Sequence, residues 1–148
     1  MPPPTPPEPD LGDRLEALGR TLGEREAAHA AGLQEARACA EKLRAAIASA
    51  LERFHRAAAA AGAPQLRVSL SEIRADDKHL RAVEFDLSRG RHRAIVTVRS
   101  RGEVTLVGPF RAGKTEGPCL TFPLAAQSEL AEALGPFLAR FLEEAATP

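Results

Sequence analysis

"EVTLVGPFRAGKTEG", residues 103–117, decides between two folds. Gly108-x-x-x-x-Gly113-Lys114-Thr115 satisfies the phosphate-loop pattern. A working phosphate loop requires a parallel sheet, a helix opening at the loop, and a second strand ending in Asp to hold Mg²⁺. The residues that follow Thr115, Glu-Gly-Pro-Cys-Leu-Thr-Phe-Pro, do not read as a helix. Gly117, Pro118 and Pro123 oppose one, while Leu120 and Phe122 alternate as in a strand. No Asp occurs after the motif. The stretch therefore reads as a long hairpin connection over 108–118, with corners at Gly108-Pro109 and Gly117-Pro118. Anion binding by Lys114 and neighbouring amides is the secondary reading, by analogy with backbone nests.

Upstream of it, apolar residues recur with period 2: Leu66, Val68 and Leu70; Val83, Phe85 and Leu87; Ala94, Val96 and Val98; then Val104 and Leu106. Short connections separate these runs at 75–79, 88–91 and 100–102, with Gly90 and Gly102 where hairpin turns need positive φ. With the 120–124 run, this predicts a five-stranded antiparallel meander, because parallel neighbours need crossovers of a dozen residues or more.

Helical spacing flanks the sheet on both sides. Asp10 can cap a run through Leu11, Leu15, Leu18 and Leu22, and a second run passes through Leu33, Ala36, Ala40, Leu43, Ile47, Ala50, Phe54, Ala57 and Ala61. Between them the seam loses its apolar residues at Arg25, Glu26 and His29, and Gly19, Gly23 and Gly32 weaken the helix by about 1 kcal/mol each relative to Ala. A stutter or break is expected within residues 23–32. Gly62 and Pro64 close the helix. An unbroken helix over 11–61 would be roughly 76 Å long, too long for the remaining chain to cover, so it must fold back near Gly32 or pair with another chain. At the C-terminus Leu130, Leu134, Phe137, Leu138, Phe141 and Leu142 share a helical face, with Ser128 as cap and a kink or split expected at Gly135-Pro136.

The fold class is α+β. Residues 1–10 form a Pro-rich, extended tail, 11–61 a coiled-coil-like helical region, either continuous or broken near Gly32, and 62–148 a sheet with a C-terminal helix packed on it. Six of the twelve prolines lie in the tail, which lacks the apolar core of a signal peptide. The expected location is cytoplasmic, with Cys39 and Cys119 as buried reduced thiols. Trp and Tyr are absent and Phe occurs six times, so stacking platforms for single-stranded nucleic acid are scarce.

Residues 62–114 carry eleven basic and six acidic side chains, and residues 115–148 one and five. The densest basic cluster is Arg91, Arg93, Arg99 and Arg101, of one parity, which with Lys114 forms a candidate site for nucleic acid or a phosphate ligand. The simpler alternative is a solvated face paired with Glu84, Asp86 and Glu103. Asp76, Asp77 and His79 read as turn residues rather than metal ligands. No nucleophile–base constellation, metal or cofactor motif emerges, so the chain reads as non-enzymatic. The leading expectation is an adaptor or assembly protein. It would form a homodimer or bind a partner protein, not a membrane, through residues 11–61, with Leu33, Leu43, Ile47 and Phe54 on the interacting face.

Overall fold

The structure, a computed structural model, describes residues 1–5, 7, 10–75, 81–113 and 117–147. Helix α1 (Leu11–Ala60) opens where the Asp10 carboxylate accepts the Asp13 N–H at 2.7 Å. It continues without interruption for 50 residues, about 75 Å. The expected break within 23–32 does not occur. Gly32 serves close packing instead: a Cβ there would press into the backbone carbonyl oxygen of Ser100, in the turn after the central strand. Gly19 and Gly23 meet nothing, and the exposed segment around them stays helical on its Ala, Leu, Glu and Arg content. Gly62, at φ 99°, turns the chain out of the helix beyond the Ala61 cap.

Among the described residues six strands follow: β1 (Ser69–Leu70), β2 (Arg74–Ala75), β3 (Ala82–Arg89), β4 (His92–Arg99), β5 (Glu103–Arg111) and β6 (Cys119–Pro123). They form one antiparallel sheet in the order β1-β3-β4-β5-β6, with β2 also paired to β3. The first expected strand, 66–70, pairs only at Ser69–Leu70. Its leading residues dock on the helix instead, where buried His55 Nε2 accepts the Val68 N–H at 3.0 Å. The connection at 108–118 is also shorter than expected. Gly108-Pro109, joined by a cis peptide, lies inside β5, next to a register shift between Arg93 and Ile95. A Cβ at Gly108 would come within 3.0 Å of the β4 backbone, so only glycine fits the ladder there. Among the described residues no helix follows the motif: the chain is described again from Gly117, β6 starts at Cys119, and the Gly108 N–H bonds to Pro118 O at 2.7 Å.

The alternation expected of the strands sends Val83, Phe85, Leu87, Val96, Val98, Val104 and Leu106 to one face, all buried. Helix α1 packs on β3 and β4, and α2 (Gln127–Ala146) on β4 and β5. They contribute Ala36, Ala40, Ile47 and Leu51, and Leu130, Phe137, Phe141 and Ala145, to one core. Helix α2 passes through Pro136 without splitting. Pro136 and Glu132, whose carbonyl loses its helical donor, are both exposed, so water can replace the missing bond. Ser128 lies inside α2, whose N-cap is Ala126 with no side-chain bond.

Two substitutions test this docking. Gly32→Ala should destabilise the fold by about 1–3 kcal/mol despite alanine's better helix propensity, because the added methyl meets backbone. Gly19→Ala should raise helical content and leave the unfolding midpoint of the core unchanged. Denaturant titration followed by circular dichroism distinguishes them, and a stabilised Gly32→Ala would disprove the close approach. His55→Phe, which strands the buried Val68 N–H, should cost about 1–3 kcal/mol in the same assay.

Candidate functional site

The seam of α1 is one continuous stripe. Leu11 and Ile47 are 36 residues apart, about ten turns of a 3.6-residue helix, so the leucines of the first run share a face with the residues seated on the sheet. Every residue from 11 to 28 is exposed, and Leu11, Leu15, Leu18 and Leu22 are 73, 58, 51 and 44% exposed. Ile47, by contrast, is in the core, with Leu33 and Leu43 packed against it. Phe54 is half-buried, its ring edge-on to His55 at 5.9 Å. Three of the four residues expected on an interacting face, Leu33, Leu43 and Ile47, are thus turned to the protein's own core. The face left without a partner lies further toward the N-terminus.

The basic residues divide in a way their sequence parity conceals. Arg93 and Arg99 share the solvent-facing side of β4 but lie near its opposite ends, about 20 Å apart. Arg91 and Arg101 sit in the turns beyond those ends. Between them stand Glu84 and Asp86, which bind Arg74 at 3.1 and 3.4 Å, while Asp86 also lies 3.7 Å from Arg93. Lys114 lies outside the described residues, as do Asp76, Asp77 and His79.

At the first end, Arg89, Arg91, His92 and Arg111 gather beside the C-terminus of α2. The Arg89 guanidinium donates to the Ala145 carbonyl, where a cation complements the helix dipole. The second end is different. There α1 leaves the sheet, and a cavity of about 440 Å³ opens between the helix and the β4–β5 turn. Arg25 and His29 line it from α1, and Arg81, Arg99, Ser100 and Arg101 from the sheet. Ser100 Oγ lies 3.2 Å from His29 Nδ1 and fixes that ring. Glu103 stands directly across the ladder from Arg99, but its carboxylate is held by Arg101 at 2.9 and 3.1 Å. Arg99 Nε is buried with no hydrogen-bond partner among the described residues.

Arg25, His29 and Arg81 were not singled out as site residues from sequence. The signal was the loss of apolar residues at positions 25 and 29 of the seam, read there as a helix fault. It marks instead where the helix passes the end of the sheet.

Neither cysteine forms a disulfide, and the expectation of two buried thiols fails for Cys119, which is exposed on edge strand β6. Cys39 is half-buried beside Lys42 and Leu43, and burial pushes its thiol above the ordinary range against the opposing pull of the Lys42 ammonium. A thiol held protonated is a poor nucleophile. Among the described residues no three His, Cys, Asp or Glu side chains converge as metal ligands, and no helix is long and apolar enough to cross a membrane. No protein-family model, curated protein or solved structure matches the chain.

Alkylation should separate the two thiols. At neutral pH Cys119 should react with iodoacetamide well ahead of Cys39. Because burial raises the Cys39 pKa, its rate should still be rising with pH above the usual thiol range. Mass spectrometry of the labelled peptides reads both rates, and faster labelling of Cys39 would contradict the burial.

Proposed function

We propose that the protein is a non-enzymatic interaction protein that self-associates through the first three turns of α1. One observation carries this reading: four leucines at spacings of 4, 3 and 4 stand 44–73% exposed on a helix that extends past its own sheet. The occupant is a second copy in antiparallel orientation. The 4-3-4 spacing is symmetric about its midpoint, so a two-fold axis between Leu15 and Leu18 sets Leu11 against the second copy's Leu22, and Leu15 against its Leu18. Parallel pairing is disfavoured because the same face of α1 carries the sheet from Leu33 onward, and two sheets would compete for one space. Antiparallel pairing points the two sheets away from each other. Gly12 and Gly19 flank the leucines on one side and permit close approach.

Fully burying a leucine is worth about 1.5–3 kcal/mol. Eight leucines about half exposed at the start therefore supply roughly 6–12 kcal/mol, against an association cost of about 4–15 kcal/mol. The dimer is reversible and no tighter than about micromolar. That suits a protein whose assembly responds to its concentration or to a further partner.

Sedimentation equilibrium of the full chain should show a monomer–dimer equilibrium, abolished by Leu15→Glu plus Leu18→Glu with no loss of thermal stability, since both side chains are exposed. Removal of residues 1–28 should have the same effect, whereas removal through 61 would destroy the core. Orientation is read by cross-linking in a background with Cys39 and Cys119 replaced by Ser. Leu15→Cys should form a disulfide with Leu18→Cys in a mixture and not with itself. A wild-type chain that stays monomeric up to roughly millimolar concentration would refute self-association.

A further inference from the structure

The geometry points to the cavity between α1 and the β4–β5 turn as a binding site for a small phosphate-bearing anion of the pyrophosphate or phosphate-ester class. Four guanidinium groups, from Arg25, Arg81, Arg99 and Arg101, line one cavity of about 440 Å³, a volume within the range of small-ligand pockets. Of the four, Arg101 has a carboxylate within ion-pairing distance among the described residues, its partner Glu103. Arg25, Arg81 and Arg99 have none among the described residues, and the first two are exposed to solvent. Unpaired cations on a freely solvated surface would need no explanation, but here the Nε of Arg99 is buried and has no acceptor. A buried donor without a partner is destabilising, and more so when charged. An anion seated against Arg99 would remove that penalty.

The chemistry of the lining selects the anion. Guanidinium forks match the paired oxygens of phosphate and carboxylate. Groups converging from a helix and from two strand ends suit the tetrahedral oxygens of phosphate better than one planar carboxylate. The Ser100 hydroxyl and the His29 imidazole, 3.2 Å apart, add neutral hydrogen-bonding groups of the kind that accompany arginines at phosphates. Three guanidiniums without a carboxylate partner among the described residues favour a polyanion, and a diphosphate offers more charge and more acceptor oxygens than a single phosphate. The rest of the lining, Ala28, Ala82 and Thr97, is small. It offers no aromatic surface for a nucleobase apart from His29.

A polymer is a poorer fit. Nucleic acid tracking the sheet from this cavity to the arginines at the other end of β4 would cross Glu84 and Asp86. The antiparallel dimer sets no second helix over the cavity, because the second copy's helix begins opposite Leu22, before Arg25. The anion site does not depend on that dimer.

The test is calorimetric titration of the full chain with inorganic pyrophosphate in magnesium-free buffer. Saturable binding of one pyrophosphate per chain is expected, with affinity falling at least about tenfold in Arg99→Gln, as for loss of one charge-assisted contact. Arg25→Gln, on the exposed face of α1 where it cannot disturb the core, should weaken binding several-fold. Arg91→Gln, at the far end of β4, should leave it unchanged. Failure to saturate below roughly 10 mM would overturn the proposal, as would equal loss in Arg91→Gln. Tighter binding of citrate than of pyrophosphate would overturn the phosphate assignment. Affinity that grows with the length of a single-stranded oligonucleotide would show a polymer-binding surface instead.

Discussion

Strand length against helix length is the constraint on which the rest of this structure depends. Strands β3 to β5 have eight or nine residues, about 26–30 Å, and α1 is about 75 Å. A sheet of that size can seat less than half of such a helix. The apolar stripe on α1 does not stop where the sheet does, and the uncovered leucines follow from that mismatch. So does the cavity, which lies where the helix passes the last turn of the sheet and the two surfaces diverge.

Seating the helix requires two local devices. Gly32 lets α1 lie against the Ser100 carbonyl, and His55 ties the segment after the helix back onto it through Val68. The first fixes the approach at the end where the cavity opens, and the second fixes the opposite end. Between them Ala36, Ala40, Ile47 and Leu51 fill the space over β3 and β4. The charged side chains on the uncovered sheet face are mostly resolved into local pairs around Glu84 and Asp86. This makes the unpaired arginines at the α1 end stand out.

The arginine stripe shows how far sequence parity reaches. Parity correctly sets Arg93 and Arg99 on one face, since side chains alternate along a strand whatever the surroundings. It carries no information about which carboxylate each one meets. Arg93 lies near Asp86, whereas the carboxylate facing Arg99 is taken by Arg101 from the neighbouring turn. Arg25 and Arg81 come from distant parts of the chain, and only the docking of α1 brings them to the same cavity.

The α+β class, the antiparallel order, the hairpin turns at Gly90 and Gly102 and the helix starting after Asp10 were all determined by the sequence itself. Each rests on a periodicity or a backbone preference acting over a few residues. The strand rather than helix at 120–122 was also readable from the prolines around it and the alternation of Leu120 and Phe122. Only the tertiary structure decided that α1 is continuous, that α2 runs through Pro136, and that β5 carries Gly108-Pro109 inside the strand. In each case a local penalty is met by surroundings distant in sequence: a carbonyl that needs a glycine opposite it, water at an exposed helix face, a neighbouring strand that closes on Gly108. Which half of the apolar stripe is covered was likewise settled by packing. The two halves carry similar spacing, and the difference between them is the presence of a sheet that only the folded chain supplies.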